Sequence, residues 1–262
     1  MTNFHTHVVR CGHATGSEED YVLEAIEKGF TELGFSDHGP SPDDSLVCRM
    51  SWEEREDYIA AVSEMKKKYA DKIKIYTGFE YEYKKKFENA FLKEMHERSD
   101  VDYFALGVHI FDDAAGNELS AFGNVGPDDF KYYVKAFEHA CNSGLYSFAA
   151  HPDLIFMHMT EHCRQADETI DAVVKIAVEH NMPLEINANG MRRPLLTMTD
   201  GTQRFTYPYR PFWDKAAEMG VRAIVGSDCH AVADLCDDKF RLAYQLAKEW
   251  GIEVKPLTGA EL

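Results

Sequence analysis

The segment FHTHVVRCGHA near the start of the chain places three histidines, His5, His7 and His13, within nine positions of one another. If the segment begins as a strand, the side chains of His5 and His7 share one face and can bind one ion together. Two imidazoles leave coordination positions open, as in hydrolytic metal sites, whereas structural sites are closed by protein ligands. A lone histidine at a strand end is more often a hydrogen-bonded structural residue. The interpretation as a metal site therefore requires ligands elsewhere in the chain.

Such ligands follow short apolar runs along the whole chain. In six of seven apolar runs that read as buried strands, a histidine or a carboxylate comes at the end of the run. The polar residues at these ends are His5, His7, His13, Asp37, His38, Glu80, His109, His151, Asp153, Glu185, Asn187, Asp228 and His230. Seven of the twelve histidines belong to this set, so a shared metal centre is expected rather than chance clustering.

The candidate ligands can meet only if their strands run side by side. The predicted strands cover residues 3–8, 32–36, 73–79, 103–108, 147–151, 184–187 and 222–226. The predicted helices start after Ser17 and Ser51 and further cover residues 128–141, 168–180, 211–219 and 237–250. This alternation predicts parallel βα units, which gather functional groups at the C-terminal ends of their strands. We expect residues 1–262 to form one closed or nearly closed α/β barrel; an open doubly wound sheet is the alternative.

The overall composition restricts the classes of partner. With 45 acidic and 28 basic residues the formal net charge is −17, which disfavours binding of long nucleic acids. No apolar run has the length of a membrane span, and the first residues lack a secretory signal pattern. The six cysteines are therefore expected to be reduced thiols in a cytoplasmic protein. Cys11 and Cys229 flank candidate ligands, and we expect small buried thiols there rather than ligands of a soft metal.

The mixture of imidazole and carboxylate side chains indicates the expected metals and chemistry. It suits Zn, Mn or Fe better than Mg, and three ions can be bound if one carboxylate bridges two of them. Adjacent divalent ions polarise a phosphoryl oxygen, generate hydroxide near neutral pH and stabilise the leaving oxygen, so phosphoester hydrolysis is expected. Amidohydrolase chemistry is the main alternative, because it also uses H-x-H on the first strand of a barrel. No G-x-S-x-G or G-x-x-x-x-G-K-[ST] segment supports a serine hydrolase or a P-loop enzyme.

Eight segments occur in an order that resembles one known family. In chain order they are FHTH, CGHA-x-G, GFSDHGP, GFEYEY, LGVHIF, AHPDL, PLEINANG and GSDCHA. They extend from His5 to Ala231 and resemble the PHP (polymerase and histidinol phosphatase) family, in particular its stand-alone histidinol-phosphatase branch. The resemblance implies a distorted seven-stranded (β/α)7 barrel, similar to a TIM barrel, with three divalent metal ions on its C-terminal rim.

The resemblance also implies a role for each candidate metal ligand. The first ion would be bound by His5, His7, Glu80 and Asp228, the second by Glu80, His109 and His151, and the third by His13, His38 and His230. Glu80 would act in catalysis as the bridge between the first two ions. Every one of these positions carries the expected residue type, which argues against a degenerate barrel without catalytic activity.

Proton transfer to the leaving alkoxide needs a further group. Asp37 and Asp153 are the candidates, each acting through water. Alternatively, each carboxylate orients a neighbouring imidazole instead, and we favour this second role.

Candidate substrate-binding residues are basic or amide side chains near the strand ends. Arg192 and Arg193, after the sixth strand, would offer a forked grip on phosphate, with an exposed basic loop as the alternative. Arg49 is a further candidate. Asn187 would orient the substrate by hydrogen bonding, or simply end the strand.

One segment departs from the family pattern. After the motif H-x-D-L a basic residue suited to phosphate is expected, but HPDLIFMHM is apolar there and Arg164 comes several residues later. Phosphate would then be bound by the metals together with Arg49 or Arg192. Asp43 and Asp44 are available for a cationic substrate group, although a flexible acidic loop is the preferred interpretation.

Three functions follow in order of preference. The first is a metal-dependent phosphomonoesterase that hydrolyses L-histidinol phosphate in histidine biosynthesis. The second is a PHP phosphoesterase acting on nucleotides or another small phosphate ester. The third is a metal-binding scaffold without catalytic activity. In the first two cases the partner is a small phosphate ester, with no long nucleic acid and no membrane.

Overall fold

The fold is seen in a computed structural model, which describes residues 1–123, 125–259 and 261–262, the side chain of Asn89 excepted. In chain order the strands are β1 (Thr2–Asn3), β2 (Glu32–Phe35), β3 (Lys74–Tyr81), β4 (Tyr103–Leu106), β5 (Ile110–Asp112), β6 (Glu118–Ser120), β7 (Phe148–Ala149), β8 (Leu184–Asn187), β9 (Leu196–Thr197), β10 (Gln203–Arg204) and β11 (Ala223–Gly226). Strands β1, β2, β3, β4, β7, β8 and β11 form one parallel sheet in this order. These are the seven strands predicted from the sequence.

The sheet closes into a barrel at its C-terminal rim. A parallel bridge joins Thr6, beyond the end of β1, to Cys229, beyond the end of β11. The amide of His7 donates to the carbonyl of Cys229 at 3.1 Å, and the amide of Asp228 donates to the carbonyl of His5 at 3.0 Å. The predicted α/β barrel is therefore confirmed, and the open doubly wound sheet is wrong. Closure at this end brings the ligands after β1 beside those after β11.

Helices surround the barrel and pack their apolar faces against it. They are α1 (Glu18–Glu27), α2 (Glu54–Lys68), α3 (Lys85–Phe87), α4 (Lys93–His96), α5 (Phe130–Ser143), α6 (Arg164–Glu179), α7 (Asn189–Arg192), α8 (Arg210–Glu218) and α9 (Asp238–Glu249). Large side chains on their inner faces, such as Tyr21, Tyr58, Phe137 and Trp213, are completely buried. No helix in the described part of the chain is both long and apolar enough to cross a membrane.

Tyr103 fills the interior of the barrel and supports the site above it. Its hydroxyl donates to the carbonyls of Phe4 and Phe35, at 2.8 and 3.0 Å, which ties three strands together across the barrel. Gly34 and Gly78 leave the space that the ring needs, since a Cβ on either would lie 2.4 Å from an atom of this side chain. The apolar floor thus formed separates the rim from the lower end of the barrel.

The ends of some elements differ from the predictions for local reasons. The capping box at Ser17 is present, whereas Ser51 pairs with Glu54 in a turn that precedes α2. Strand β7 ends before His151, because His151 has a φ of +30°, outside the extended region. Asp228 likewise has a φ of +49°, so both residues turn away from the direction of their strands.

Two short hairpins were not predicted. The first pairs β5 with β6, and the second pairs β9 with β10. Their strands are only two or three residues long, too short to carry a periodic pattern. Both follow barrel strands that carry candidate ligands, and the first forms one wall of the site.

Candidate metal centre

A cavity of about 530 Å³ opens at the C-terminal ends of the barrel strands. Seven of the nine predicted metal ligands line it: His13, His38, Glu80, His109, His151, Asp228 and His230. The other two, His5 and His7, are completely buried among the same strand ends. The structure therefore brings all nine residues to one end of the barrel, as expected from the motifs.

The first cluster contains the residues predicted to bind the first ion. The Nε2 atoms of His5 and His7 are 3.1 Å apart, and each lies 3.6 Å from Oε2 of Glu80. Oδ1 of Asp228 is 3.6 Å from Nε2 of His5 and 3.2 Å from Nε2 of His7. Ligand atoms about 2.0 Å from a tetrahedral ion are about 3.3 Å from one another. The spacing in this cluster suits such an ion.

The second cluster uses the other oxygen of the same carboxylate. Oε1 of Glu80 lies 3.3 Å from Nε2 of His109 and 2.9 Å from Nε2 of His151, and the two nitrogens are 3.2 Å apart. Glu80 thus presents Oε2 to the first cluster and Oε1 to the second. This is the arrangement required of a carboxylate that bridges two ions.

The third group is less regular. His13 and His230 bring their Nε2 atoms to 3.0 Å. The ring of His38 lies 5.3 Å from that of His13, and its Nδ1 is 3.0 Å from Oε2 of Glu80. Ligand atoms of Cys11, His13 and His230 also lie within 4.8 Å of one another, with Cys11 buried. His13 and His230 form a pair, and His38 lies between this pair and the bridging carboxylate.

Three carboxylates fix three of the four imidazoles of the first two clusters, those of His5, His7 and His109. Nδ1 of His5 lies 2.8 Å from Glu185, and Nδ1 of His7 lies 3.2 Å from Asp37. With the Nδ1 proton donated to a carboxylate, the Nε2 lone pair faces the cluster, as a metal ligand requires. Asp37, which also accepts from the amide of His38 at 2.9 Å, does not line the cavity. Its contacts match the orienting role rather than proton transfer to a substrate.

The third supporting carboxylate, Glu82, was missed in the sequence. One of its oxygens lies 3.0 Å from Nδ1 of His109. The available signal was its position two residues after Glu80, directly beyond the end of β3, where the alternation of the strand places both side chains on the same face. Burial alone would raise the pKa of Glu82, but the Arg49 guanidinium and His109 hold that pKa well below its usual range.

The charge balance of the centre favours cations. Burial alone raises the pKa of Glu80, but the imidazoles of His109, His5 and His38 lower it well below its usual range. Oε2 of Glu80 is nevertheless buried without a hydrogen bond, because Nδ1 of His38, 3.0 Å away, is not aligned to donate to it. An ionised buried oxygen of this kind costs free energy unless a cation or a donor faces it. The donor set and this unsatisfied oxygen therefore fit divalent metal ions.

Asp153 is completely buried in the turn after β7 and does not line the cavity. Its Oδ2 accepts from the amide of Tyr209 at 2.6 Å and from Nε1 of Trp213 at 2.9 Å, and burial raises its pKa to about 6. These bonds connect the turn after β7 to the start of α8. Its contacts, like those of Asp37, do not place it next to a substrate in the cavity.

The predicted phosphate-binding residues occupy different positions. Arg192 points away from the cavity: it pairs with Asp237 at 2.8 Å and donates to the carbonyls of Ser227 and Asp234, each at 2.7 Å. Arg192 therefore does not line the cavity, whereas its neighbour Arg193, directly after the short helix α7, does.

Arg49 and Asn187 are engaged in supporting contacts. Arg49 lines the cavity, but its guanidinium makes paired hydrogen bonds of 2.8 and 2.9 Å with Glu82. Asn187 is buried beneath the cavity and donates to Glu185 at 2.7 Å and to Asp228 at 3.1 Å. Neither side chain is therefore free to grip phosphate without giving up a partner.

The segment that departs from the family pattern is part of the core. Phe156 and Met159 are buried, and their carbonyls accept from Arg204 at 2.5 and 2.8 Å. Arg164 lies on the surface of α6 beside Glu168, outside the cavity. Asp43 and Asp44 bond within their own loop and to the amide of Trp52, and neither lines the cavity.

A sequence model of the PHP domain family matches residues 3–189 of the chain. The match covers more than half of the chain and includes seven of the nine candidate ligands, all except Asp228 and His230. The chain belongs to the PHP domain family. The resemblance seen in the motifs is therefore confirmed.

Curated relatives extend the similarity of this PHP domain over most of the chain. A probable histidinol-phosphatase of Deinococcus radiodurans is 28% identical over 245 residues, covering 88% of this chain and 86% of the relative. The histidinol-phosphatase of Bacillus subtilis is 26% identical over 266 residues, covering 88% of this chain and 94% of the relative.

A solved structure shows the same fold as this PHP domain. The histidinol phosphate phosphatase of Lactococcus lactis, complexed with zinc, L-histidinol and phosphate, superposes with a TM-score of 0.72 at 17% identity. The alignment covers 98% of this chain and 97% of that one. The likeness therefore concerns the whole barrel.

Proposed function

We propose that this protein is a metal-dependent phosphomonoesterase that hydrolyses L-histidinol phosphate to L-histidinol and phosphate in histidine biosynthesis. The observation that carries the proposal is the position of Glu80, with one oxygen in each of two ligand clusters at the floor of a cavity. The names of the two curated relatives and the contents of the Lactococcus lactis structure support the same substrate.

We propose three divalent ions, zinc, manganese or iron, bound by the nine histidine and carboxylate ligands in the sets implied by the family motifs. Such ions, when bound, lower the pKa of water and stabilise negative charge on phosphoryl oxygens. The surrounding side chains supply orientation. Glu185, Asp37 and Glu82 hold the imidazoles of His5, His7 and His109, each with an oxygen 2.8 to 3.2 Å from the Nδ1 atom.

Arg193 is our candidate for the phosphate-binding side chain. It lines the cavity, is exposed, and has no carboxylate partner among the residues that the structure describes. Its guanidinium can donate two parallel hydrogen bonds to phosphate oxygens. Of the arginines that the sequence suggested for this role, Arg192, Arg193 and Arg49, we therefore propose Arg193.

The shape of the cavity limits the substrate to a small ester. A volume of about 530 Å³ lies within the range of small-molecule sites. The lining contains apolar residues such as Leu46, Val47 and Ile110 as well as polar ones such as Ser120 and Asn189.

The test is steady-state hydrolysis of L-histidinol phosphate beside AMP, a 3′,5′-bisphosphonucleoside and p-nitrophenyl phosphate, after loading with zinc or manganese. We expect the highest kcat/KM for L-histidinol phosphate. Faster turnover of AMP or the bisphosphonucleoside would indicate that the substrate is a nucleotide rather than L-histidinol phosphate. No hydrolysis of any ester by metal-loaded protein would favour the non-catalytic scaffold.

A further inference from the structure

The cavity-lining guanidinium of Arg193 is flanked by two aromatic side chains. Its Cζ lies 5.6 Å from the centre of the Phe122 ring, within the range of a cation–π contact. The second aromatic side chain is Tyr207. Burial raises the pKa of its hydroxyl, and the nearby Arg193 guanidinium lowers that pKa in part. Both aromatic residues also line the cavity. Arg193 is thus placed by aromatic neighbours rather than by a carboxylate.

Each of these aromatic residues also packs on a histidine of the second cluster. Phe122 is stacked on His109, with ring centres 5.5 Å apart and an angle of 22° between the rings. Tyr207 meets His151 edge to face at 6.1 Å. The two rings that neighbour Arg193 are therefore the two that contact the imidazoles beside Oε1 of Glu80. This places Arg193 close to the second metal position.

The backbone of Phe122 is anchored although the residue is 42% exposed. Its carbonyl accepts from Nε2 of His158 at 3.2 Å, and its amide donates to the Ser120 hydroxyl at 3.2 Å. The amide of the preceding Ala121 donates to the carbonyl of His109 at 2.8 Å. The Phe122 ring thus has a fixed position beside His109, and its exposed part is available for contact with the Arg193 guanidinium.

We propose that Phe122 is a positioning residue that holds the Arg193 guanidinium beside the second metal position, where it binds the substrate phosphate. The inference rests on the proposed function and adds a residue that acts through Arg193. An arginine side chain without a carboxylate partner samples many rotamers, and ordering it on binding weakens affinity. Contact with the Phe122 ring restricts that freedom while leaving the N–H donors available to phosphate.

A double-mutant cycle tests the coupling. Wild type, Phe122→Leu, Arg193→Ala and the double variant are loaded with zinc, and the KM for L-histidinol phosphate and the Kd of inorganic phosphate are measured. We expect Phe122→Leu to raise both about threefold, the change expected for one exposed cation–π contact. In the Arg193→Ala background the same change should have no further effect. Phe122→Trp should keep both constants at the wild-type values, because the tryptophan ring also forms cation–π contacts.

Two controls separate this role from a general loss of structure. Val178, on the outer face of α6, is also an exposed apolar residue at 43%, and Val178→Ala should leave both constants unchanged. Zinc content should be equal in all variants. An equal weakening by Phe122→Leu with and without Arg193, or a loss of zinc in Phe122→Leu, would overturn the inference.

The phosphate Kd keeps the inference distinct from the proposed function. If no ester is hydrolysed, the proposed function fails, while the cycle on inorganic phosphate still reports the coupling. If L-histidinol phosphate is hydrolysed and the effects of the two substitutions simply add, the inference alone fails.

Discussion

Glu82 accepts a hydrogen bond from Nδ1 of His109 at 3.0 Å, and it does so while held by the paired bonds of Arg49. A continuous chain therefore runs from the loop before α2, through β3, to a histidine of the second cluster. Arg49 further donates to the carbonyls of Gly39 and Val47, at 3.0 and 3.1 Å. The orientation of His109 therefore depends on the loop between β2 and α2, which also carries the proposed ligand His38.

Replacing this carboxylate is expected to weaken the second metal position. Glu82→Gln keeps the size of the side chain but removes the negative charge that orients His109. We expect zinc affinity at one position to fall about 10- to 100-fold, measured by competition with a chromophoric chelator. The matched control is Glu56→Gln, because Glu56 makes a similar paired contact with Arg98 on the outer surface. Unchanged zinc affinity in Glu82→Gln would contradict the orienting role.

Alanine substitutions of the neighbouring residues Arg193 and Arg192 are expected to affect substrate binding and stability, respectively. Arg193→Ala should raise the KM for L-histidinol phosphate about tenfold or more, with little change in the temperature of unfolding. Arg192→Ala should lower the free energy of unfolding by roughly 2–3 kcal/mol, because Asp237 and two carbonyls lose their donor. Thermal unfolding and steady-state kinetics on both variants decide the point. A raised KM in Arg192→Ala and a lowered stability in Arg193→Ala would instead assign the phosphate contact to Arg192.

Asp153 is expected to be structural rather than catalytic. Asp153→Asn keeps an oxygen that can accept from Tyr209 and Trp213, so kcat should stay within about threefold of wild type. Asp153→Ala leaves both donors without an acceptor and should lower the free energy of unfolding by about 2 kcal/mol or more. A stable Asp153→Asn variant whose kcat falls a hundredfold would instead show that this carboxyl group transfers a proton.

Metal uptake is expected to release protons at pH 7. Burial lowers the pKa of His109, but Glu80 and Glu82 outweigh it and raise that pKa to about 9. The pKa values of His5 and His7 are also raised well above the usual range, since neighbouring carboxylates outweigh burial. These imidazoles are protonated in the metal-free protein below those pKa values, and each must lose a proton to bind an ion. Calorimetric titration with zinc in buffers of different ionisation enthalpy measures the release, and the share from His109 should shrink as the pH approaches 9.

A release of less than one proton per protein at pH 7 would contradict this account of the metal-free site. Metal-free protein titrated in the same buffers with a cation that it does not bind gives the baseline. Because the imidazoles must lose protons before they bind zinc, zinc affinity should also rise with pH between 6 and 9.

The barrel and the ligand positions were predictable because their signals are local. A buried parallel strand reads as an apolar run, and the first polar residue after it lies at the rim, as seen for His109 after β4 and Asp228 after β11. No long-range contact had to be known for these inferences. The alternating units favoured a barrel but left an open sheet as the alternative, and the bridge between Thr6 and Cys229 decides between the two.

The residues around the ligands were harder to predict because their partners are distant in the chain. Asp153 accepts from an amide 56 positions later, and Glu185 supports an imidazole 180 positions earlier. Arg192 and Arg193 are adjacent, and only the turn of α7 decides which one faces the cavity. Glu82 carried a signal in its spacing from Glu80, and the alternation of side chains along β3 could have identified it.

The most direct test of the central claim is the rate of L-histidinol phosphate hydrolysis against zinc content, in wild type, His109→Ala and the exposed control His180→Ala. We predict that chelation abolishes the activity of wild type and that zinc restores it. His180→Ala should behave as wild type, whereas His109→Ala should lose at least one ion and fall more than a hundredfold in kcat. Hydrolysis that persists in protein freed of all metal would contradict a reaction centred on the bridge formed by Glu80.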